Sequence, residues 1–273
     1  MKNFSNKYIF LYSIVLVAVV AVLLSVVAMS LKSYQDANVR NEKMQTLLAA
    51  INVEAEAEEA ADMYKQYFDQ EMTINTKGEI VSIYDIKAEK MQQGDVRAFN
   101  IVLKNEQKLE KANAGSGAFP IYTFTLDGKK GYVIPTQGSG LWGAVYSNIA
   151  LADDFNTVIG VTFSHDSETP GLGAEISTKK FQEPFIGKQI LDENGQVISV
   201  SIIKRADPAA MHEVDAISGG TMTSNGVDAM LKDDLKRYQA FIDTQLSQTE
   251  KAPVEEVAEE TIVENTNEEE VAQ

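Results

Sequence analysis

The sequence predicts an α+β fold, in which one amino-terminal transmembrane helix is followed by a single extracytoplasmic domain with an antiparallel sheet and flanking helices. Three observations predict it. Residues 9–31 form an uncharged apolar run, β-branched and aromatic runs in the middle of the chain are joined by short polar turns, and residues 227–246 carry apolar side chains at helical spacing. No internal repeat or long linker interrupts the domain.

The apolar run at 9–31 is long enough to cross a bilayer. As a helix, its 23 residues would span about 35 Å. A cleaved signal peptide is the alternative, but its apolar core is usually about 7–15 residues long. Here the run is longer, and a polar helical pattern follows it instead of a clear small-residue cleavage site. We therefore expect a retained, single-pass anchor.

The orientation of this anchor depends on the residues at its two ends. Basic side chains are almost balanced, with Lys2 and Lys7 before the span and Lys32, Arg40 and Lys43 after it. The short leading segment and the large downstream domain favour a cytoplasmic amino terminus. We therefore expect the chain in the cytoplasmic (inner) membrane with its main domain on the periplasmic side.

The remaining elements can be placed in chain order. Apolar residues between 44 and 51 form a helical stripe, and a second helix is expected over 54–68. We expect strands at 80–86, 98–103 and 197–204, and two antiparallel pairs, 121–126 with 131–137 and 144–151 with 157–165. Two further helices are expected, at 178–191 and, as the last element, at 227–246. The domain organisation that follows is a short cytoplasmic segment 1–8, the transmembrane helix 9–31, a helical connector 32–70, a domain 71–247 and a tail 248–273.

The composition excludes several classes of chemistry. With no cysteine, the chain cannot form disulfides, thiolate zinc sites or iron–sulfur clusters, and His165 and His212 are too few for a multi-histidine metal site. The formal charge of −16 argues against a nucleic-acid partner.

From Glu250 onward the tail carries nine Glu and one Lys, so we expect a disordered, solvated extension, with an acidic interaction tail as the alternative.

One candidate site precedes the last helix. Residues 215–226 read DAISGGTMTSNG, which places two glycines and several hydroxyls at the start of an amphipathic helix. Thr223, Ser224 or Asn225 could cap this helix, while Gly219 and Gly220 would let the backbone approach an anion. A helix amino terminus favours phosphate. An ordinary capped helix after a glycine turn is the alternative.

Two further glycine-rich segments could lie against a planar ligand. Residues 165–176 read HDSETPGLGAEI and follow a predicted strand, and residues 138–143 read GSGLWG and contain the single tryptophan, Trp142. A tight surface connection is the alternative for each. His165 and Glu168 could form an acid/base pair, although a histidine beside a carboxylate is more often simply solvated.

The pair of motifs ETPGLGAE and DAISGGTMTSNGV resembles the FMN-binding domain of the membrane flavoproteins in sodium-pumping NADH:quinone reductase and in the related ferredoxin:NAD oxidoreductase complexes. The second motif is similar to the recognition sequence of flavin transferase, with Gly220 where alanine is more usual. The resemblance covers residues 1–247 and leaves the acidic tail unmatched. The segments GYVIPTQGSGLWG and LKSYQDANVRNEKMQTLL resemble the NqrC family of the sodium-pumping complex more than its cousin in the ferredoxin-linked complex.

This resemblance implies a cofactor, a set of residues and partners. It implies FMN joined through its phosphate to the hydroxyl of Thr221, with the remaining candidate cofactor contacts at Ser218, Gly219, Gly220, Thr223, Glu168, Thr169, Leu172, Gly173 and, less directly, Trp142. It implies a flavin transferase for attachment and other subunits of a membrane complex as partners. No residue of this chain is expected to catalyse a reaction on NADH, because no dinucleotide-binding glycine motif follows a strand.

The function implied is electron relay through FMN within the NADH:quinone reductase complex, coupled to sodium export. The alternatives are the homologous FMN subunit (G) of the ferredoxin-linked complex, a stand-alone membrane-anchored flavin reductase, and a membrane-anchored binding or assembly domain without flavin.

Overall fold

The computed structural model describes residues 5–248, so the first four residues and nearly all of the acidic tail expected at 248–273 lie outside the described part. One long helix is followed by a domain with a seven-stranded antiparallel sheet and flanking helices, which confirms the predicted fold class. The helices are α1 Asn6–Ala50, α2 Ala60–Tyr67, α3 Leu103–Ala112, α4 Lys179–Gln182 and α5 Thr221–Leu235, and residues 239–248 are also helical. The strands are β1 Phe68–Ile74, β2 Ile80–Asp85, β3 Lys90–Gln93, β4 Phe119–Leu126, β5 Lys129–Ser139, β6 Ala144–Ala152, β7 Val158–His165, β8 Ser201–Ile203 and β9 Glu213–Asp215.

The sheet has the order β3-β2-β1-β4-β5-β6-β7, with every neighbouring pair antiparallel. Its two faces are buried by different elements. Leu47 and Leu48 of α1 and Tyr64 of α2 cover one face, and Val227 and Leu231 of α5 pack with the residues of the other. Because both faces are covered, the central strands β4 and β5 carry long runs of buried residues rather than strict alternation.

Helix α1 is longer than the predicted span because the helical stripe after it continues without a break. An 18-residue window of this helix has a mean hydropathy of 3.0, so α1 is long and apolar enough to cross a membrane. Its last turns pack on the domain, with Leu47, Leu48 and Ala50 fully buried. The exposed apolar part of α1 and the domain-bound part are thus one continuous element, as a single-pass membrane anchor requires.

The contact between α1 and β7 sets the direction of the domain along the helix. A Cβ on Gly160 would lie under 3.0 Å from the carbonyl oxygen of Ala50, and the hydroxyl of Thr162 donates to the carbonyl of Thr46 at 3.3 Å. Strand β7 therefore runs back along α1 toward the apolar segment. Its last residue, His165, and the loops at the same end of the sheet therefore lie toward the apolar segment of α1.

Four local predictions were wrong or too long, each for an identifiable reason. The strand expected at 98–103 is a short 3-10 turn, Ala98–Asn100, followed by the start of α3. The amide of Phe99 donates to the buried Glu71 carboxylate, and its carbonyl accepts from Lys43 Nζ, so this backbone bonds to charged side chains instead of a neighbouring strand.

The other three differences concern element ends. The helix expected at 178–191 stops after one turn of α4, since Pro184 lies just beyond it. The strand expected at 197–204 is reduced to β8, because Ser199 adopts φ +69°. The helix expected over 54–68 begins only at Ala60 and gives way to β1 at Phe68.

Candidate functional site

The turn that leads into α5 is built on two glycines. Gly219 adopts φ +79°, a left-handed conformation that favours glycine, and the amide of Gly220 closes a turn onto the carbonyl of Ile217 at 3.0 Å. A Cβ on Gly219 would lie 2.8 Å from Cδ2 of Leu172. The absence of side chains therefore lets this turn pack directly against the loop that follows β7.

The structure corrects the predicted cap of the last helix. Helix α5 begins at Thr221 with Gly220 in the N-cap position, and no side chain caps it. The hydroxyl of Thr223 donates instead to Oε2 of Glu168 at 2.5 Å, and the hydroxyl of Ser224 accepts the amide of Ile217 at 3.1 Å. The first amides of α5 have no intrahelical acceptor, so this end keeps donors available for an anion.

Thr221 differs from the neighbouring hydroxyl residues in its surroundings. Its side chain is exposed and forms no hydrogen bond with any of residues 5–248, whereas Thr223 and Ser224 are buried and bonded. Ser218 is also exposed, but it lies within the turn and outside the helix. An exposed hydroxyl and uncapped amide donors are therefore combined at Thr221, the first residue of α5.

Glu168 joins the three segments that the sequence analysis singled out. Only 4% of this residue is exposed, and its carboxylate accepts the Thr223 hydroxyl from α5 and the amide of Trp142, at 2.8 Å, from the β5–β6 loop. Burial would raise the pKa of the Glu168 carboxyl, but hydrogen bonds from Thr223 and from amides of the Trp142 loop outweigh burial and hold this pKa below its usual value. The ionised Glu168 carboxylate therefore links the loop after β7, the β5–β6 loop and α5.

Two glycines make room for the Glu168 carboxylate. A Cβ on Gly140 would lie 2.5 Å from Oε1 of Glu168, and a Cβ on Gly173 would lie under 3.0 Å from both Oε2 of Glu168 and Oγ1 of Thr223. Real Cβ atoms do not approach other atoms so closely. Gly140 and Gly173 thus allow the buried carboxylate to reach both of its partners.

His165 does not pair with the Glu168 carboxylate. Its Nδ1 instead accepts the backbone amide of Glu168 at 3.2 Å, and the carboxylate points away to Thr223 and Trp142. The proposed acid/base pair is therefore absent from the structure, and His165 serves to shape the loop that carries Glu168.

Large apolar side chains are exposed on the three segments that meet at the start of α5. Trp142 is 67% exposed, Leu141 50%, Leu172 43% and Met222 60%. They come from the β5–β6 loop, the loop after β7 and the first turn of α5, which the Glu168 hydrogen bonds and the Gly219–Leu172 contact hold together. Exposed apolar groups gathered on three adjoining segments are typical of a binding surface.

The structure brings together nearly all of the predicted site residues and adds some that the sequence analysis missed. Thr169 lies exposed beside Leu172, and its carbonyl accepts the amides of Leu172 and Ala174. Met222, Gly140 and Gly226 lie in the candidate segments but were not among the individual candidate contacts. A Cβ on Gly226 would lie under 3.0 Å from the Ser139 carbonyl, and a glycine inside an otherwise apolar helical pattern was the signal that could have revealed this contact.

Comparisons with known proteins match this region and the chain as a whole. The model of the FMN-binding domain family matches residues 140–236, which include all three segments of the site. The NqrC subunit of the Na+-translocating NADH-quinone reductase of Vibrio parahaemolyticus is 30% identical over 216 residues, which cover 77% of this chain and 82% of the relative. The same subunit of Neisseria meningitidis serogroup B is 30% identical over 227 residues, covering 82% and 87%.

The fold of this chain is also similar to that of a solved structure. The crystal structure of the NqrC subunit from Parabacteroides distasonis superposes with a TM-score of 0.67 at 34% identity, covering 78% of this chain and 96% of that one. The chain therefore belongs to the NqrC family of subunits of the Na+-translocating NADH-quinone reductase.

Proposed function

We propose that this chain is the FMN-carrying electron-transfer subunit of a Na+-translocating NADH-quinone reductase, and that it holds FMN by a phosphoester on the hydroxyl of Thr221. The observation that carries the attachment point is the exposed, unbonded hydroxyl of Thr221 at the uncapped start of α5. The match to the FMN-binding domain family and the family relationship support the cofactor and the complex.

The residues around Thr221 fit the phosphate of FMN. The first amides of α5 are donors without acceptors inside the helix, and the helix dipole favours a negative group at this end. Gly219 and Gly220 add no side chain of their own beside Thr221, so the backbone there can come close to an anion. We propose that Ser218, in the recognition sequence, is read by the flavin transferase that attaches the cofactor.

The exposed apolar surface fits the flavin ring. We propose that Leu172, Thr169 and Trp142 lie near the ring, and that Glu168, Gly173 and Thr223 act behind this surface by fixing the loops in place. Bound FMN supplies reversible acceptance of electrons, while the protein sets its orientation and surroundings. Because attachment through phosphate leaves the ring unmodified, noncovalent contacts must tune its potential.

The membrane arrangement follows from α1. We propose that residues 9–31 span the inner membrane and that the domain lies on the periplasmic side. The boundary expected between the connector 32–70 and the domain 71–247 falls inside β1, so the domain begins no later than Phe68. NADH oxidation, quinone reduction and sodium translocation would belong to the other subunits, with this chain relaying electrons between them. The register of β7 against α1 supports a flavin position at the membrane-facing end of the domain.

The attachment point can be tested by substitution. Coexpressed with a flavin transferase, the chain should show flavin fluorescence after denaturing electrophoresis, and Thr221→Ala should remove it because no other exposed hydroxyl lies at the helix start. Thr244→Ala, at an exposed threonine of the segment 239–248, serves as the matched control and should keep full fluorescence. Equal fluorescence of both variants would refute the attachment point, and a colourless parent chain would favour the flavin-free assembly domain.

A further inference from the structure

We propose that a lysine-lined cleft beside Trp142 is the docking site for an acidic patch on another subunit of the complex. The inference rests on the proposed function, since it places this docking site next to the flavin carried on Thr221. The lysine cleft is defined by one wall from α3 and one from the end of β5 and the β5–β6 loop, and it has a volume of about 520 Å³.

The first wall is a row of three positive charges. Lys104, Lys108 and Lys111 lie at positions i, i+4 and i+7 of α3, so they share one face of the helix. All three are exposed, and none of them forms an ion pair with any acidic residue in the described range 5–248. The row is therefore uncompensated within the domain.

The acidic residues of the same helix are engaged elsewhere. The carboxylate of Glu110 accepts the amides of Gly115 and Gly117, and that of Glu106 accepts the amide of Ala118 at 2.9 Å. These hydrogen bonds hold both carboxylates at the loop before β4. Helix α3 thus separates its charges, with its glutamates committed to the fold and its lysines facing the cleft.

The second wall is apolar and joins the candidate flavin site. It contains residues 138–144, including Leu141 and the strongly exposed Trp142. The amide of Trp142 donates to Glu168, whose carboxylate also accepts the Thr223 hydroxyl of α5. Two hydrogen bonds through one buried carboxylate therefore connect the wall of the cleft to the helix that begins with Thr221.

Helix α3 is also fixed to the same framework. Nε2 of Gln107 donates to the carbonyl of Gln137 at 2.7 Å and to the carboxylate of Asp234, while the amide of Gln137 donates to Asp234 at 2.8 Å. Asp234 belongs to α5 and is 4% exposed. The lysine row, Trp142 and Thr221 are thus held at fixed relative positions, so a partner docked in the cleft would be placed reproducibly beside the flavin.

The chemistry of the two walls identifies the partner as an acidic protein surface. An exposed aromatic anchor with a charged rim is the usual composition of a protein–protein contact, and three unpaired lysines call for carboxylates on the other side. The net charge of −16 would repel an extended polyanion such as an anionic lipid surface. The cleft also opens at the end of the sheet nearest the apolar part of α1, where other membrane subunits would stand.

A kinetic experiment tests the effect of docking on electron transfer. In the purified complex, the rate at which NADH reduces the flavin of this chain would be compared between parent and the triple variant Lys104→Gln, Lys108→Gln, Lys111→Gln. We expect at least a tenfold slower reduction at low salt and a much smaller difference at high salt. The control variant, Lys90→Gln, Lys129→Gln, Lys130→Gln, carries the same charge change at exposed lysines far from the cleft and should match the parent. Equal rates for parent and cleft variant would overturn the proposal.

Cross-linking identifies the occupant independently of flavin. A carbodiimide that joins lysines to carboxylates without a spacer should link Lys104, Lys108 or Lys111 of the complex to Asp or Glu of another subunit, as read by peptide mass. Links only to the acidic tail 250–273 of the same chain, binding of the parent chain but not the cleft variant to anionic vesicles, or no links at all would each overturn it. Flavin content is measured on the same sample, so loss of the cofactor would count against the proposed function while the cross-links still report on docking.

Discussion

Gly173→Ala is expected to reduce covalent flavin on the chain at least tenfold. The added Cβ would lie under 3.0 Å from both ends of the Glu168–Thr223 hydrogen bond, and both of these residues are buried. Neither end can retreat without moving the loop after β7 away from α5. Since this hydrogen bond holds α5 against the rest of the site, the attachment turn would be displaced. Flavin absorbance per mole of denatured chain measures the effect.

A matched control lies two residues away. Gly171 adopts φ +76°, and a Cβ on it would have no neighbouring atom within 4 Å, so Gly171→Asn adds a side chain in open space with a residue that tolerates this conformation. This variant should keep most of its flavin. Both variants should accumulate in the membrane and resist protease equally. Full flavin content in Gly173→Ala would show that the Glu168–Thr223 hydrogen bond does not hold the attachment turn in place.

Glu71→Gln is expected to destabilise the domain by about 3 kcal/mol. Glu71 is fully buried, and its carboxylate accepts hydrogen bonds from Arg97, from the Tyr64 hydroxyl and from the amide of Phe99. The amide of glutamine keeps the size but removes the counter-charge of Arg97, and it places donors where the carboxylate accepted. The midpoint of urea unfolding, followed by circular dichroism in detergent, measures the loss.

The ion pair of Glu89 with Lys65 provides the comparison. Both side chains are largely exposed, so solvent screens the interaction and Glu89→Gln should lower the unfolding midpoint far less than Glu71→Gln does. The contrast isolates the effect of burial from the loss of a formal charge. Identical unfolding midpoints for the two variants would show that the buried Glu71 cluster contributes nothing particular to stability.

The regular parts of the fold could be predicted from the sequence because their signals are local. The hairpin around Asp127 and the pair β6–β7 follow from β-branched runs and polar turns, and the anchor follows from an uncharged run. The strand expected at 98–103 does not form, because its backbone bonds to Glu71 and Lys43, which are distant in sequence. Burial lowers the pKa of Lys43 to about 8, a sign of how closed this cluster is. No pattern in a single sequence reveals such a pairing.

The candidate site, too, could be predicted from the sequence only where its signals are local. Its glycine and hydroxyl motifs are contiguous, so the sequence points to the turn before α5 and to the loop carrying Leu172, while Thr221 itself is implied by the family resemblance. What the sequence could not separate was the role of each hydroxyl. Thr223, Ser224 and Asn225 all satisfy the preferences for a cap, and only the position of Glu168 on another loop explains why Thr223 turns away and α5 stays uncapped.

Peptide mass mapping of this chain, purified from membranes of cells that contain an active flavin transferase, tests the attachment of FMN to Thr221 most directly. We expect the peptide containing Thr221 to be heavier by FMN less one water, with fragmentation placing the added mass on the Thr221 side chain. An unmodified Thr221 peptide, or the flavin mass on another residue such as Ser218 or Thr223, would show that FMN is not carried on Thr221.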